Sequence, residues 1–307
     1  MHEMIWSDEA ARARDAGAPL VALESTIITH GMPCPENLAT ARAVEGEVRG
    51  AGAVPATIAV LDGRLHIGLD AAQLERLARL PGPMKLSRAD LAVALATGAS
   101  GGTTVAATMI AAARARIAVF ATGGIGGVHL GAERSWDVSA DLQELAQSRV
   151  TVVCAGPKAI LDLPKTLELL ETLGVPVIAY GQDALPAFWS PASPHAAPLR
   201  LDSADAIAAA HLARAALGLP GGQLICNPVP AGDGIPYDDL APLIAQAAAE
   251  TETAGIAAKQ VTPHLLRRLG AATGGRTLTA NIALVRSNAR LAAAIARALQ
   301  TVPGPCK

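Results

Sequence analysis

Aromatic side chains are nearly absent. The 307-residue chain has three Trp, two Tyr and two Phe, 2% in all. Platforms on which the bases of a polymer could stack are therefore scarce, and a formal net charge of −2 gives no basic footprint for a phosphate backbone. Both count against a nucleic-acid polymer as partner. Cysteine is sparse too. Cys34, Cys154, Cys226 and Cys306 lie far apart and form no C-x-x-C pair. Neither a zinc framework nor a disulfide scaffold is expected, and Cys154 and Cys226, in apolar runs, read as small core residues. No apolar run reaches membrane-spanning length without a charge or a Gly/Pro break. Met1 to Ser7 lacks the basic-then-apolar pattern of an export signal. The expected location is a reducing cytoplasm, with no membrane partner.

What the chain does have is Ala, Gly, Val and Leu in alternating strand-like and helix-like runs. Strands are expected at 19–23, 57–61, 64–67, 117–121, 151–154, 175–180 and 223–226. Asp62-Gly63 between the second and third of these marks a two-residue hairpin turn. Helices are expected from Ser7, Glu36, Asp70, Ser87, Thr104, Ser139, Ser203 and Asp238 onward, several opened by a capping Ser, Thr or Asp. Two more helices are expected at 263–269 and 278–299. This order belongs to an α/β protein with a mostly parallel sheet covered on both faces. With no repeat and no linker composition, residues 1–307 read as one domain.

In such sheets ligands sit beyond the carboxyl ends of the strands. That rule selects Glu24, the glycine loop Thr122–Gly127, Lys158 and Asn227. Pro157 suits a first helical position, which puts Lys158 in the first turn of a helix. The dipole there opposes a cation and favours the neutral, nucleophilic amine. A solvated lysine on a helix shoulder is the competing reading. Glu24, at the end of an apolar strand, suits proton transfer or, alternatively, loop capping. Gly101-Gly102-Thr103-Thr104 opens a helix in the manner of an anion site, with Lys85 upstream to complete it. Asp137, Ser139 and Asp141 alternate as oxygen ligands of a hard divalent cation would, while Ser139 also reads as a helix cap. His30 and His129 are ambiguous between proton shuttles and satisfied loop histidines.

Longer stretches carry a resemblance. They include Ala22 to Pro33, Gly52 to Gly68, Gly101 to Val105, Ala121 to His129, Ser139 to Leu142 and Cys154-Ala155-Gly156-Pro157-Lys158. Asn227 to Pro230, Lys259 to Pro263 and Ala280 to Val285 complete the set. In this order and over nearly the whole chain, they resemble the pseudouridine-5′-phosphate glycosidases, also called the indigoidine synthase A-like family. The resemblance implies a mixed α/β/α sandwich, a homotrimer, and cleavage of pseudouridine 5′-phosphate to uracil and ribose 5-phosphate. It implies Lys158 as nucleophile, Glu24 as proton donor and Asp137 as the residue holding Mn²⁺. Lys85, Val105 and the segment Ser139, Ala140, Asp141 would contact the phosphosugar substrate, and His129 and Asn281 would line the site. Pro157, Cys34 and Trp136 depart from the family's pattern and bear on local packing around the substrate. A different Schiff-base enzyme acting on a sugar phosphate, or a non-catalytic sugar-phosphate sensor, are the alternatives.

Overall fold

The computed structural model describes residues 4–254, 256 and 261–302. Among these residues one mixed sheet collects eleven strands. The strands are β1 (Ile5–Trp6), β2 (Leu20–Leu23), β3 (Val54–Leu61), β4 (Arg64–Ile67), β5 (Met84–Leu86), β6 (Gly101–Thr103), β7 (Val119–Ala121), β8 (Thr151–Cys154), β9 (Val177–Tyr180), β10 (Leu199–Leu201) and β11 (Gln223–Cys226). The main path is β1-β4-β3-β2-β7-β8-β11-β9-β10, with β6 also pairing β3 and β5. Antiparallel pairing is confined to β3 with β4 and β3 with β6; every other pair is parallel. Asp62 and Gly63 both take positive φ, 50° and 69°, as a tight primed hairpin turn requires.

The central strands β2, β7, β8 and β11 are buried at every position but Leu20 because both faces are covered. Their period-2 alternation sorts neighbouring residues into two cores. Val21, Leu23, Val119, Ala121, Val153 and Ile225 point to one side. Ala22, Phe120, Val152, Cys154, Leu224 and Cys226 point to the other. On the first face lie α2 (Glu36–Gly50), α9 (Ala204–Ala216), α10 (Tyr237–Thr253), α11 (Val261–Ala272) and the long α12 (Arg276–Thr301). On the second lie α4 (Leu91–Thr97), α5 (Val105–Arg114), α7 (Ala140–Leu145) and α8 (Leu163–Thr172). The arrangement is the α/β/α sandwich implied above. Three shorter helices are α1 (Asp8–Asp15), capped by Ser7, α3 (Ala71–Ala78), with a full capping box from Asp70 and Gln73, and α6 (Ala132–Ser135). No helix among the described residues is long and apolar enough to cross a membrane.

Two local expectations are corrected. Lys158 is not in a helix. Pro157 bridges to Ile125, the Lys158 N–H donates to the Ile125 carbonyl at 3.0 Å, and His129 bridges to Leu161. The helix begins only at Leu163, capped by Asp162, with Pro164 in its first turn. The dipole argument for Lys158 therefore falls. Gly101 and Gly102 are not an open cradle either. They form a buried strand in which a Cβ on Gly101 would strike the Met84 carbonyl and one on Gly102 would strike Thr29 Oγ1 and the Ser25 carbonyl. Close approach of backbones is what these glycines serve. Lys259, Gln260 and Cys306 lie outside the described residues.

Candidate active site

Each strand of the central parallel set ends in a segment that turns toward the same rim. β2 delivers Glu24, β7 delivers Thr122 to Gly127, and β8 delivers Ala155 to Lys158. Beyond β2 the chain makes a π-helical turn over Ile27–Gly31. Ser25 pins it: its hydroxyl donates to the Ile58 carbonyl at 2.6 Å and accepts the Thr103 N–H at 2.9 Å. A cleft of about 660 Å³, open to solvent, lies over this rim. Glu24, Thr26, His30, Lys85 and Lys158 line it together with Met32, Phe188, Leu266, Asn281 and Leu284.

Glu24 is 9% exposed. Both carboxylate oxygens are held, one by the Thr26 hydroxyl and the other by the Thr122 hydroxyl. Thr122 is itself anchored. Its N–H donates to the Val153 carbonyl at 3.0 Å, and its carbonyl accepts the Asn288 amide at 2.8 Å. The Asn227 amide donates to Asn288 at 2.9 Å and to Ser287 at 3.1 Å. Asn227 therefore braces α12 against the strand ends instead of reaching the cleft.

Lys158 and Lys85 both act electrostatically on His129. Burial, the largest influence, makes the His129 imidazolium unfavourable and lowers its pKa; Asp137 pulls it back up, and Lys158 and then Lys85 push it down. His30 is likewise lowered by burial and then by Lys85. Both sit below the ordinary 6.5, so the unfolded chain takes up these protons first as the pH falls. Their contribution to stability is complete above 6.5 and is lost as the pH drops through the folded-state values.

Asp137 lies on the strand-like return that pairs Val128 with Val138, and its carbonyl accepts the His129 N–H at 3.0 Å. Trp136 beside it is 85% exposed. Asp141 has both oxygens engaged, one by the Gly126 N–H at 2.8 Å and the other by the Ala106 N–H at 2.9 Å. It clamps the glycine loop to the start of α5. Ser139 caps α7 by accepting the Asp141 N–H at 3.2 Å, and Ala140 is the first residue of that helix. Thr104 caps the Ala107 N–H and Asp141 the Ala106 N–H, which leaves Val105 as the first-turn amide of α5 without a side-chain cap among the described residues. The oxygen alternation 137-139-141 thus splits between one half-buried carboxylate and two residues engaged in backbone hydrogen bonds. No group of three or more His, Cys, Asp or Glu side chains among the described residues could hold a metal ion. Asp137 fits a hard cation only as a single carboxylate, with water and ligand oxygens supplying the rest of the shell.

Phe188, Trp189, Met32, Leu266 and Leu284 are lining or supporting residues that sequence reasoning missed. The available signal was rarity: Phe188-Trp189 holds one of two Phe and one of three Trp in the chain, inside a Pro-rich loop. Phe188 takes φ 60° and packs on Gly124, where a Cβ would lie 2.6 Å from its ring. The Trp189 indole N–H donates to Asn281 Oδ1 at 2.7 Å.

A buried carboxylate and a lysine on one rim of a doubly covered sheet, facing an apolar wall, suit acid-assisted covalent chemistry on a small molecule. The chain belongs to the indigoidine synthase A-like family, whose model, described as indigoidine synthase A like protein, matches residues 9–298. A pseudouridine-5′-phosphate glycosidase of Jannaschia sp. (strain CCS1) is 68% identical over 97% of this chain and 99% of its own. The enzyme of the same name from Solibacter usitatus (strain Ellin6076) is 59% identical over 95% of this chain and 98% of its own. Among solved structures, the prealnumycin C-glycosynthase AlnA in complex with ribulose 5-phosphate superposes with a TM-score of 0.90, at 40% identity and 97% coverage of both chains. An indigoidine synthase A-like protein from Thermotoga maritima gives a TM-score of 0.87 at 33% identity, with 96% of both chains covered.

Proposed function

We propose that the chain is a pseudouridine-5′-phosphate glycosidase, cleaving the carbon–carbon bond between uracil and ribose 5-phosphate reversibly, with Lys158 as nucleophile. The observation that carries this is the joint lining of one cleft by Lys158, Lys85 and Glu24 on the one hand and Phe188, Leu284 and Asn281 on the other. The first group suits a phosphosugar, the second a flat uncharged base. Protonating a heteroatom leaving group, the usual glycosidase device, is not available at a carbon–carbon bond. An amine solves the problem. Lys158 Nζ attacks the anomeric carbon, and the ring oxygen leaves with a proton from Glu24. The Glu24 carboxylate takes a proton from the alkylated nitrogen, whose freed lone pair then forms an iminium as the bond to the base carbon breaks, and Glu24 passes that proton to the base carbon. Water hydrolyses the imine, returning the amine and the aldehyde sugar. A carboxylate nucleophile could not form the iminium.

Lys85, the Val105 N–H and the Ser139, Ala140, Asp141 segment are assigned to the phosphosugar, with His129 and Asn281 lining the site. Asp137 would hold a divalent cation, Mn²⁺ in this proposal, which when bound would orient water and the phosphosugar electrostatically. The chain is taken as one domain that assembles as a homotrimer in the cytoplasm; the three cysteines among the described residues are free thiols.

The test combines a uracil-release assay on pseudouridine 5′-phosphate with borohydride trapping of ribose 5-phosphate and mass spectrometry. Uracil release and an adduct on Lys158 are expected. An adduct without uracil release would favour C-glycoside chemistry on another aglycone, as AlnA's name suggests. Phosphosugar binding without an adduct would mark a sensor. The histidines give an independent readout. In ligand-free protein the His129 NMR titration midpoint is expected below 6.5. Adding ribose 5-phosphate, whose charge offsets the two lysines, should raise it. A midpoint that ignores the ligand would remove His129 from the phosphosugar site.

A further inference from the structure

Asn281 and Leu284 sit one turn apart on α12 and face the same cleft. Leu284 and Phe188 close on Gly123: a Cβ there would lie 3.5 Å from the Leu284 methyl and 3.8 Å from the Phe188 ring. Asn281 is thus the polar group in the apolar part of the cleft. An asparagine amide can turn either face to a ligand, and its two faces recognise opposite partners. Here the choice is made by Trp189, which is wholly buried and does not line the cleft. An indole N–H can only donate, so the atom it meets at 2.7 Å must be the amide oxygen. The Asn281 NH₂ is left facing away from Trp189, and it has no hydrogen-bond partner among the described residues.

Trp189 is itself rigidly placed. Its carbonyl accepts the Ile235 N–H at 2.8 Å, and the preceding Phe188 N–H donates to the Ala155 carbonyl at 2.8 Å, three residues before Lys158. The Phe188 and Trp189 rings lie with centroids 5.1 Å apart and planes tilted by 53°.

We propose that Trp189 is a positioning residue that fixes the amide polarity of Asn281, so that the base end of the cleft presents a donor and selects an aglycone carbonyl oxygen. The proposal rests on the glycosidase reading and names a specificity device within it. Uracil has two carbonyls and satisfies the donor. A base presenting an amino group there would oppose donor to donor and leave both unpaired. The sugar end of the cleft is untouched by this choice, so recognition of ribose 5-phosphate should not depend on Trp189.

The experiment is a double-mutant cycle on the full chain with Trp189→Phe, Asn281→Ala and the pair. Trp189→Phe keeps an aromatic ring and removes the donor. It is expected to raise KM for pseudouridine 5′-phosphate about five- to tenfold with kcat changed less, the scale of one misaligned hydrogen bond. The borohydride-trapped adduct of ribose 5-phosphate on Lys158 should form as in the unsubstituted enzyme. In the Asn281→Ala background the tryptophan change should add nothing. Additive effects, or loss of the adduct in step with KM, would make Trp189 merely structural and overturn the proposal. Asn281→Asp keeps an acceptor for Trp189 and replaces the donor facing the base. It should lose uracil release while retaining the adduct; unchanged KM in this variant would equally overturn the proposal, even if Trp189→Phe did not fold. Failure of the unsubstituted enzyme to release uracil would instead strike the glycosidase reading itself.

Discussion

Lys158→Ala is expected to lower uracil release from pseudouridine 5′-phosphate by about 10⁴-fold or more, the scale on which enzymes lose a covalent nucleophile. The loss should be chemical and not structural. The Lys158 backbone is held on both sides, its N–H on the Ile125 carbonyl and its own carbonyl on the Leu161 N–H, each at 3.0 Å. Neither bond needs the side chain, so the thermal midpoint should stay close to that of the unsubstituted protein. Lys158→Arg sharpens the result. It keeps a cation in the cleft that Lys85 also lines but supplies no amine that can form an imine at neutral pH. Ribose 5-phosphate should still bind, and borohydride should trap nothing. An adduct recovered from either variant, on another lysine, would move the nucleophile elsewhere.

The second large effect is expected at Glu24. Glu24→Gln should reduce kcat by about 10²–10⁴-fold, the range for removing a general acid, with KM little changed. The variant is a fair test because the surroundings can accept it. Thr26 and Thr122 donate to the two carboxylate oxygens, and a threonine hydroxyl that meets an amide NH₂ instead can turn and accept. A full kcat in this variant, measured under saturating substrate, would remove Glu24 from proton transfer.

The central sheet was legible in the sequence because burial on both faces leaves an unbroken apolar run with turn residues at each end. Val21 to Leu23, Val119 to Ala121, Val152 to Cys154 and Leu224 to Cys226 all show this. The rim residues followed from topology, since ligand sites lie where such strands end. Lys158 illustrates what local rules miss. The pattern of a strand, Gly156 and Pro157 fits a helix start, yet pairing of Pro157 with Ile125 and of Leu161 with His129 brackets a tight turn at Ala159 and Ile160 instead, and a second proline in a first turn, Pro164, marks the real start. Gly101 and Gly102 were misread for a related reason. Glycine before a helix suits an anion, but here it lets β6 crowd against β5 and against the turn that follows β2, and the crowding partners Met84, Ser25 and Thr29 are remote in sequence. The Trp189–Asn281 bond joins residues 92 apart, and nothing in either local sequence announces it.

The brace from Asn288 to Thr122 and on to Glu24 ties the beginning of the chain to its end. Glu24 leaves the ribosome early, yet the group that fixes its hydroxyl partner lies in the last helix, as do Asn281 and Leu284 on the cleft wall. A nascent chain that has completed its sheet therefore still lacks Asn281 and Leu284 on the cleft wall and the amide that holds Thr122 beside Glu24.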